Sequence, residues 1–432
     1  MSEVAARADA QAHPPSPADL SADLPPIDER VSRIVNVAYA RIMRIREHVT
    51  AIRFATPEDE ARLMALRGKR VLFLPNHPTA TDPPVMFGLS RILGEPFRYT
   101  AMQELFEGAV GAVVARIGAF PIRRGMPDRA ALRKCQASLL VPSGKLVLFA
   151  EGEAHGQNDY LLPLNSGFAQ VAFWAREKLS ETEPEADILL QPVAIKYRFV
   201  DAHDARRQIT HALEHIERDL GITPETHASL YRRTRDASLT ILAGIEKEYD
   251  LPTDARADTD DRLGVLYTSL ETRVAAMLRV PLPKETVLVH RMRTLFNAAY
   301  AYREKMEHGG TRYDHRLQER REWIADACLA DLRRVENFMG VREKRLEADA
   351  TLEQIREMLV RLEAEIYGEK RTHPLCDVTV ALSKPFSMSE RTEAYKADKR
   401  AEVAHVTADV QARLHTLLDG LQGVSTSAAA EG

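Results

Sequence analysis

The stretch that indicates the fold most directly is RVLFLPNHPTATDPPVMFGLSRILG, Arg70 to Gly94. It opens with RVLFLP, a short apolar run typical of a buried strand, and continues into a helical pattern from Pro83 to Leu93 that Gly94 ends. Further apolar runs at 96–102, 145–150 and 187–199 alternate with helical patterns at 129–140 and 167–179. This alternation predicts an α/β fold, a mixed β-sheet flanked by helices.

The flanking sequence differs from this core in composition. Residues 1–27 are rich in Ala, Pro, Ser and Asp, which predicts a disordered tail, and 423–432 form a second tail. After about residue 202 the sequence is charged and helix-forming, until an apolar strand pattern returns at 378–382 and a helical stripe follows from about residue 400. We therefore predict an N-terminal helical segment at 28–66, a core at 67–202, an all-helical insertion at 203–374, and a closing strand with a C-terminal helix at 375–422. The insertion is a candidate lid, partner platform or oligomer interface.

The segment from Asp28 to Thr50 has the pattern of an amphipathic helix. Its apolar residues recur at helical spacing: Val31, Ile34, Val35, Ala38, Ile42 and Ile45. Between residues 28 and 53, six arginines stand against three acidic residues. Two interpretations remain open, a membrane-surface helix and a core-packing helix with a basic outer face.

Composition excludes several classes of protein. A net charge of −4, from 59 basic and 63 acidic residues, gives no general attraction for a nucleic acid. The three cysteines lie far apart, so no disulfide framework or Cys-rich metal site is indicated. No apolar run reaches 18 residues, and no signal peptide is recognisable. We expect a cytoplasmic protein that contacts lipid, if at all, from the surface of the inner face of the membrane.

The loop after the first core strand contains the candidate catalytic residues. In one interpretation Asp82 is a helix N-cap before Pro83, and His77 is an ordinary loop residue. In the other, the Asp82 carboxylate bonds one ring nitrogen of His77 and leaves the other nitrogen to take a proton. The two roles of Asp82 are compatible. His211 and His215 have the spacing of a zinc-binding pair, but Glu214 is not where the metalloprotease motif places its base, and we predict no metal site.

Four segments in order resemble the sequence blocks of the glycerolipid acyltransferase superfamily, which includes lysophosphatidic acid and glycerol-3-phosphate acyltransferases. They are NHPTATD (76–82), GAFPIRRG (118–125, with a Gly-x-Phe turn), FAEGE (149–153) and QPVAI (191–195). The first is similar to the family's His-x4-Asp block. The resemblance covers about residues 65–200 and 375–422.

The resemblance implies a glycerol-3-phosphate acyltransferase-like fold and an O-acyltransferase of phospholipid biosynthesis. His77 is implied as the general base and Asp82 as its orienting partner, with backbone amides near the Pro83 helix start as oxyanion donors. The implied substrate-binding residues are Asn76, Arg123, Arg124, Glu151 and Gly152. For the two arginines a solvated charge pair, and for Glu151 an ordinary loop carboxylate, are the alternatives.

The implied substrates are an acyl thioester, acyl-CoA or acyl-ACP, and a lysoglycerophospholipid acceptor at a membrane surface, without a further cofactor. One departure weakens the acceptor assignment: the family continues Glu-Gly with Thr-Arg-Ser, whereas Glu153, Ala154 and His155 follow here. Glycerol 3-phosphate or another lysolipid is therefore an alternative acceptor. A non-catalytic lipid-binding or scaffold protein is the alternative from a different class.

Overall fold

The computed structural model describes residues 24–106, 108–123, 128–225, 227–251, 258–285, 287–304, 310–339 and 350–424. The two predicted tails fall almost wholly outside these described residues, as does Arg124.

Strands and helices alternate in the first half of the chain and helices dominate the second. The strands are β1 (Val49–Phe54), β2 (Arg70–Pro75), β3 (Arg98–Met102), β4 (Ala119–Ile122), β5 (Lys145–Val147), β6 (Ile188–Phe199), β7 (Cys376–Leu382) and β8 (Phe386–Ser387). The helices of the first half are α1 (Glu29–Ile45), α2 (Pro57–Met64), α3 (Asp82–Leu93), α4 (Gly108–Arg116), α5 (Arg129–Leu140) and α6 (Gly167–Ser180). Those that follow are α7 (Ala202–Asp219), α8 (Leu230–Glu248), α9 (Thr259–Leu278), α10 (Leu288–Glu304), α11 (Arg312–Phe338), α12 (Leu352–Tyr367), α13 (Thr392–Ala397) and α14 (Lys399–Gly420).

The strands form one mixed sheet in the order β1-β7-β6-β2-β5-β3-β4, with β8 paired to β6. Neighbouring strands are parallel except for the antiparallel pairs that β6 makes with β7 and β8. The carboxyl ends of β2, β5 and β6 therefore meet the amino ends of β1 and β7 at one edge. This edge is where ligands bind in open α/β sheets.

Strand β2 is buried on both faces, which explains its continuous apolar sequence. Val71 and Phe73 pack toward a cluster that includes residues of α1 and α3. Leu72 and Leu74 pack toward the opposite cluster, which includes residues of α5, α6 and α14. Two layers of helices thus cover the sheet, and the predicted α/β class with flanking helices is confirmed.

Helices α7 to α12 lie between β6 and β7 in the chain and share a third apolar cluster. Their outer residues are charged, and aliphatic side chains such as Leu266, Leu332 and Leu359 fill the interior. This packing accounts for the long charged but stripe-forming sequence. The boundaries assigned to the helical insertion and to the other domains stay predictions.

The N-terminal helix is shorter than its sequence pattern indicated. Helix α1 ends at Ile45, His48 adopts a positive φ of 55°, and Val49 begins strand β1. The prediction of one helix to Thr50 was wrong because the partner of β1 is β7, from the far end of the chain. In the part of the chain that the structure describes, none of the helices combines the length and the hydrophobicity that a membrane span requires.

The segment after Gly118 is also a strand rather than a Gly-x-Phe turn. Gly118 has a φ of 111°, and a Cβ there would lie 2.6 Å from the carbonyl oxygen of Phe97. Residues Ala119–Ile122 then pair with β3 as β4. Only glycine fits this close approach, so the glycine marks the entry to a strand.

Candidate active site

His77 and Asp82 lie in contact at the carboxyl edge of the sheet. Strand β2 ends two residues before His77, and Asp82 is the first residue of α3. The Nδ1 of His77 lies 2.8 Å from Oδ2 of Asp82. Because a carboxylate only accepts hydrogen bonds, Nδ1 carries the ring proton in this pair, and Nε2 is left with a lone pair. The His77 side chain is 15% exposed and that of Asp82 is fully buried.

The Asp82 carboxylate has two further partners. Oδ2 accepts the backbone N–H of Thr79 at 2.9 Å, and Oδ1 accepts the Tyr197 hydroxyl at 2.6 Å. Burial, followed by the nearby Asp82 charge, raises the pKa of Tyr197 well above its usual value, so the phenol keeps its proton and donates. These bonds fix the carboxylate in a dry setting.

Asp82 is not the N-cap of α3, contrary to the structural interpretation of the sequence. The cap position belongs to Thr81, whose side chain makes no capping bond. The carboxylate instead folds back onto the loop, where Thr79 and His77 bind it.

The first turn of α3 also lacks the predicted oxyanion donors. Pro83 and Pro84 have no N–H, and the amides of Asp82 and Val85 are bonded to carbonyl oxygens within the loop. Between residues 77 and 85, the Ala80 amide is the one N–H for which the structure shows no hydrogen bond.

Glu151 holds the backbone of His77 in place. Its buried carboxylate accepts the backbone N–H of His77 at 2.5 Å and that of Leu162 at 2.5 Å. The ring of Phe149 stacks on His77 with centroids 4.1 Å apart. Gly152 follows with a φ of +83°, and a Cβ there would lie 2.8 Å from the Asn165 amide nitrogen. The predicted third block therefore holds the histidine loop in place.

Asn76 is fully buried and faces the neighbouring strand. Its Nδ2 donates to the carbonyl of Ile195 at 3.0 Å, and its Oδ1 accepts the N–H of Ile195 at 2.7 Å. Both ends of the amide are occupied by β6, so this side chain ties the end of β2 to the sheet. The predicted role of Asn76 in substrate binding stays a prediction.

Of the second sequence block, 118–125, the structure describes only residues 118–123. Arg123 is exposed, and its backbone N–H bonds the Asp128 carboxylate at 3.1 Å. Within the described ranges, no contact joins Arg123 to His77, Asp82 or Glu151. Arg124 lies outside the described residues, so the predicted phosphate contact of this arginine pair stays a prediction.

Sequence reasoning missed two residues that reach this site from elsewhere in the chain. Tyr197 lies near the end of β6, and Arg293 lies on α10 in the helical region. The Arg293 guanidinium donates to Oδ1 of Asn165 at 2.9 Å and to the carbonyls of Glu151 at 2.7 Å and Pro163 at 3.2 Å. Burial lowers the pKa of Arg293. The sequence offered no local signal for either contact, because both depend on the tertiary fold.

The histidine pair on α7 makes no larger cluster. His211 and His215 approach with 3.3 Å between their Nε2 atoms. No group of three or more His, Cys, Asp or Glu side chains that suits a metal ion occurs in the part of the chain that the structure describes.

The chain matches a known family over this part of the fold. Residues 51–196, from β1 to near the end of β6, match the Acyltransferase family. Residues 51–196 therefore form a domain of the glycerolipid acyltransferase family, which supports a general acyltransferase activity. The family resemblance of the sequence is confirmed over these residues. No curated protein matches the chain.

Proposed function

We propose that the protein transfers a fatty acyl group from acyl-CoA or acyl-ACP to the free hydroxyl of a lysoglycerophospholipid. The observation that carries this proposal is the His77–Asp82–Tyr197 chain of hydrogen bonds at the ligand-binding edge of the sheet. Such a chain orients an imidazole for proton transfer, and it serves acyl transfer to an alcohol without a metal or covalent intermediate.

The proposed reaction balances with one base. The Nε2 of His77 takes the proton of the acceptor hydroxyl while the hydroxyl oxygen attacks the carbonyl carbon of the thioester. The tetrahedral intermediate then expels the thiolate as the C–S bond breaks, and the imidazolium returns the proton to sulfur. The Asp82 carboxylate stabilises the imidazolium in between.

The amide of Ala80 is our candidate donor to the oxyanion. Ala80 is exposed in the loop between His77 and Asp82, and its N–H is without a hydrogen-bond partner among the described residues. An N–H aimed at a developing oxyanion contributes a factor of about 10²–10³ in rate.

A panel assay tests the activity. The purified protein is given one labelled acyl-CoA with lysophosphatidic acid, glycerol 3-phosphate or another lysophospholipid, and labelled product is counted. We expect transfer to a lysophospholipid, with a rate reduced ~10²–10⁴-fold in His77→Ala. His211→Ala is the matched control, since this histidine is exposed on α7. A wild type that transfers acyl groups to no acceptor would refute the proposal.

We also propose that α1 binds the inner face of the membrane. Val37 is 88% exposed and Ile34 is 69% exposed, with exposed arginines such as Arg33 and Arg41 on the same helix. The helix is anchored to the protein by buried Tyr39 and Met43. Apolar side chains left in water beside arginines suit an anionic lipid surface.

The test of membrane binding uses substitutions, because deleting α1 would remove Tyr39 and Met43 and uncover the apolar cluster against which they pack. Val37→Glu should lower co-sedimentation with vesicles of phosphatidylglycerol and phosphatidylethanolamine. Val265→Glu, at an exposed position on α9, is the control. Equal binding by the wild type and Val37→Glu would reject the surface role.

A further inference from the structure

A cavity of about 420 Å³ adjoins the catalytic loop on the side of the helical region. One wall consists of loop residues 78–81 and the segment from Ala154 to Asn158, and the other comes from α12 and the chain that follows it. The α12 side contributes Glu353, Arg356, Glu357, Val360, Lys370 and His373. The sheet edge forms the floor, through Tyr197 and Phe199.

The cavity is lined by neighbours of the candidate catalytic pair. Pro78 and Thr79 directly follow His77, and the carbonyl of Pro78 accepts the N–H of Gly156 at 2.9 Å. Tyr197 and Thr79 are the residues that bind the Asp82 carboxylate. A molecule in this cavity therefore lies next to the loop that follows His77 and next to the residues that bind Asp82.

Three cations gather on the α12 side of the cavity. Arg356 and Lys370 line it, and Arg361 bonds the carbonyl of His155 at 2.8 Å beside Gly156. The ion pairs that the structure shows among its described residues involve none of these three side chains. Burial, and then the positive charges of Arg356 and Arg361, lower the pKa of Lys370.

The Arg356 guanidinium is held in place without being neutralised. Its Nε donates to the carbonyl of Thr372 at 3.1 Å, and one Nη lies 3.2 Å from Nδ1 of His373. The Nε2 of His373 lies 2.8 Å from the carbonyl oxygen of Lys370, and burial lowers the pKa of the ring. A neutral His373 thus donates from Nε2 and accepts from Arg356, so the positive charge stays on the arginine.

The acidic side chains that line the cavity already have hydrogen-bond partners within the protein. Glu47 bonds the Thr81 hydroxyl at 2.9 Å and lies 3.5 Å from Arg46. Glu353 accepts the N–H of Phe199, and Glu357 accepts the N–H of Asn158 at 2.6 Å. Burial raises the pKa of Glu357 to about 7, so its negative charge is incomplete at neutral pH. Because Glu357 is only partly ionised and Arg361 adds its charge to those of Arg46, Arg356 and Lys370, positive charge exceeds negative charge around the cavity.

We propose that this cavity binds the phosphate of a phosphorylated substrate through Arg356 and Lys370, with Arg361 behind them. The inference rests on the proposed acyl transfer, in which the acceptor headgroup or the CoA of the donor supplies the phosphate. A pre-oriented guanidinium and an ammonium are the groups that bind phosphate esters most strongly. The helical region would then supply the phosphate contact that Ala154 removes from the third sequence block.

Binding without turnover tests the site directly. Glycerol 3-phosphate stands for an acceptor headgroup and adenosine 3′,5′-bisphosphate for the CoA of the donor, each titrated into the full-length protein by calorimetry. We expect one probe to bind, and the identity of that probe shows which substrate supplies the phosphate. Failure of both probes to bind the wild type overturns the inference.

Two variants and one control locate the binding. Arg356→Gln should raise the dissociation constant ~10-fold or more, since a charge-assisted bond is lost. Lys370→Gln should raise it ~3-fold or more by loss of one positive charge, and it serves as the second test if Arg356→Gln does not fold. Arg371→Gln is the control, because this nearby arginine bonds Glu369 outside the cavity. Equal affinity in Lys370→Gln and the wild type overturns the inference.

The readout separates this inference from the proposed function. A protein that binds a probe through Arg356 and Lys370 but transfers no acyl group keeps the phosphate site and refutes the transferase proposal. If the protein transfers acyl groups but both variants bind the probe as the wild type does, the transferase proposal stands and the phosphate site is refuted.

Discussion

Replacing Asp82 with asparagine tests the negative charge of the catalytic pair, because both oxygens of this carboxylate have defined hydrogen-bond partners. The backbone N–H of Thr79 points at Oδ2, so the amide nitrogen of the new side chain cannot occupy that position without facing a donor. The amide oxygen therefore takes the Oδ2 position and still accepts from Nδ1 of His77. The amide nitrogen faces the Tyr197 hydroxyl, which can rotate and accept. The variant thus keeps the imidazole orientation and loses only the negative charge.

The size of the effect follows from that lost charge. With Nδ1 and Oδ2 2.8 Å apart, the imidazolium and carboxylate charge centres are ~4 Å apart, and their attraction at an effective dielectric constant of about 20 is about 4 kcal/mol. Since about 1.36 kcal/mol is tenfold in rate, we expect kcat to fall ~10³-fold. KM should change little, because the charge is needed mainly when His77 holds the transferred proton.

The assay is steady-state transfer of a labelled acyl group to the preferred acceptor, with circular dichroism to verify folding. Tyr197→Phe is the matched comparison, since it removes one hydrogen bond to Asp82 and keeps the charge. It should lower kcat only ~5-fold, for a bond worth about 1 kcal/mol. A folded Asp82→Asn protein with kcat within ~10-fold of wild type would refute the proposed role of the charge.

Three further predictions concern the surroundings of the pair. Asn76→Ala should lower the free energy of unfolding by roughly 3 kcal/mol in a urea titration, because the N–H and C=O of Ile195 lose their buried partners; an unchanged midpoint would contradict this. Arg293→Met should lower kcat ~10-fold or more by loosening the loop it holds, while the distant control Arg303→Met leaves kcat unchanged; equal rates in the two variants would argue against a positioning role. In the folded protein the pKa of Glu357 is raised from 4.5 to about 7. The wild type should therefore lose stability relative to Glu357→Gln as the pH rises through this interval, by about 3 kcal/mol at most. A difference in melting temperature between the two proteins that does not change with pH would contradict the raised pKa.

Local sequence patterns were enough to predict the centre of the fold. The strand before Asn76, the turn and the helix that starts at Asp82 are encoded within one short stretch, and the His77 and Asp82 side chains meet as one of the two interpretations of that stretch predicted. An apolar run buried on both faces and a proline-rich helix start leave few alternative conformations.

Long-range contacts account for what the sequence did not reveal. Strand β1 resembled the end of a helix because its pairing with β7 is invisible locally. Tyr197 looked like an ordinary strand residue, and its bond to Asp82 exists only because β6 lies beside β2. The amides proposed at the start of α3 were unsuitable for a local reason, since prolines have no N–H and the neighbouring amides are bonded.

The position of β7 has a consequence for how the protein is made. This strand lies between β1 and β6, so the sheet is incomplete until residues 376–382 have left the ribosome, more than 300 residues after β1. Until then the edge of β6 and the whole of β1 stay without their partner, a state prone to aggregation during synthesis. A chain cut at the end of the family match would keep that open edge, whereas a chain in which a short linker joins residue 200 to residue 375 would close it.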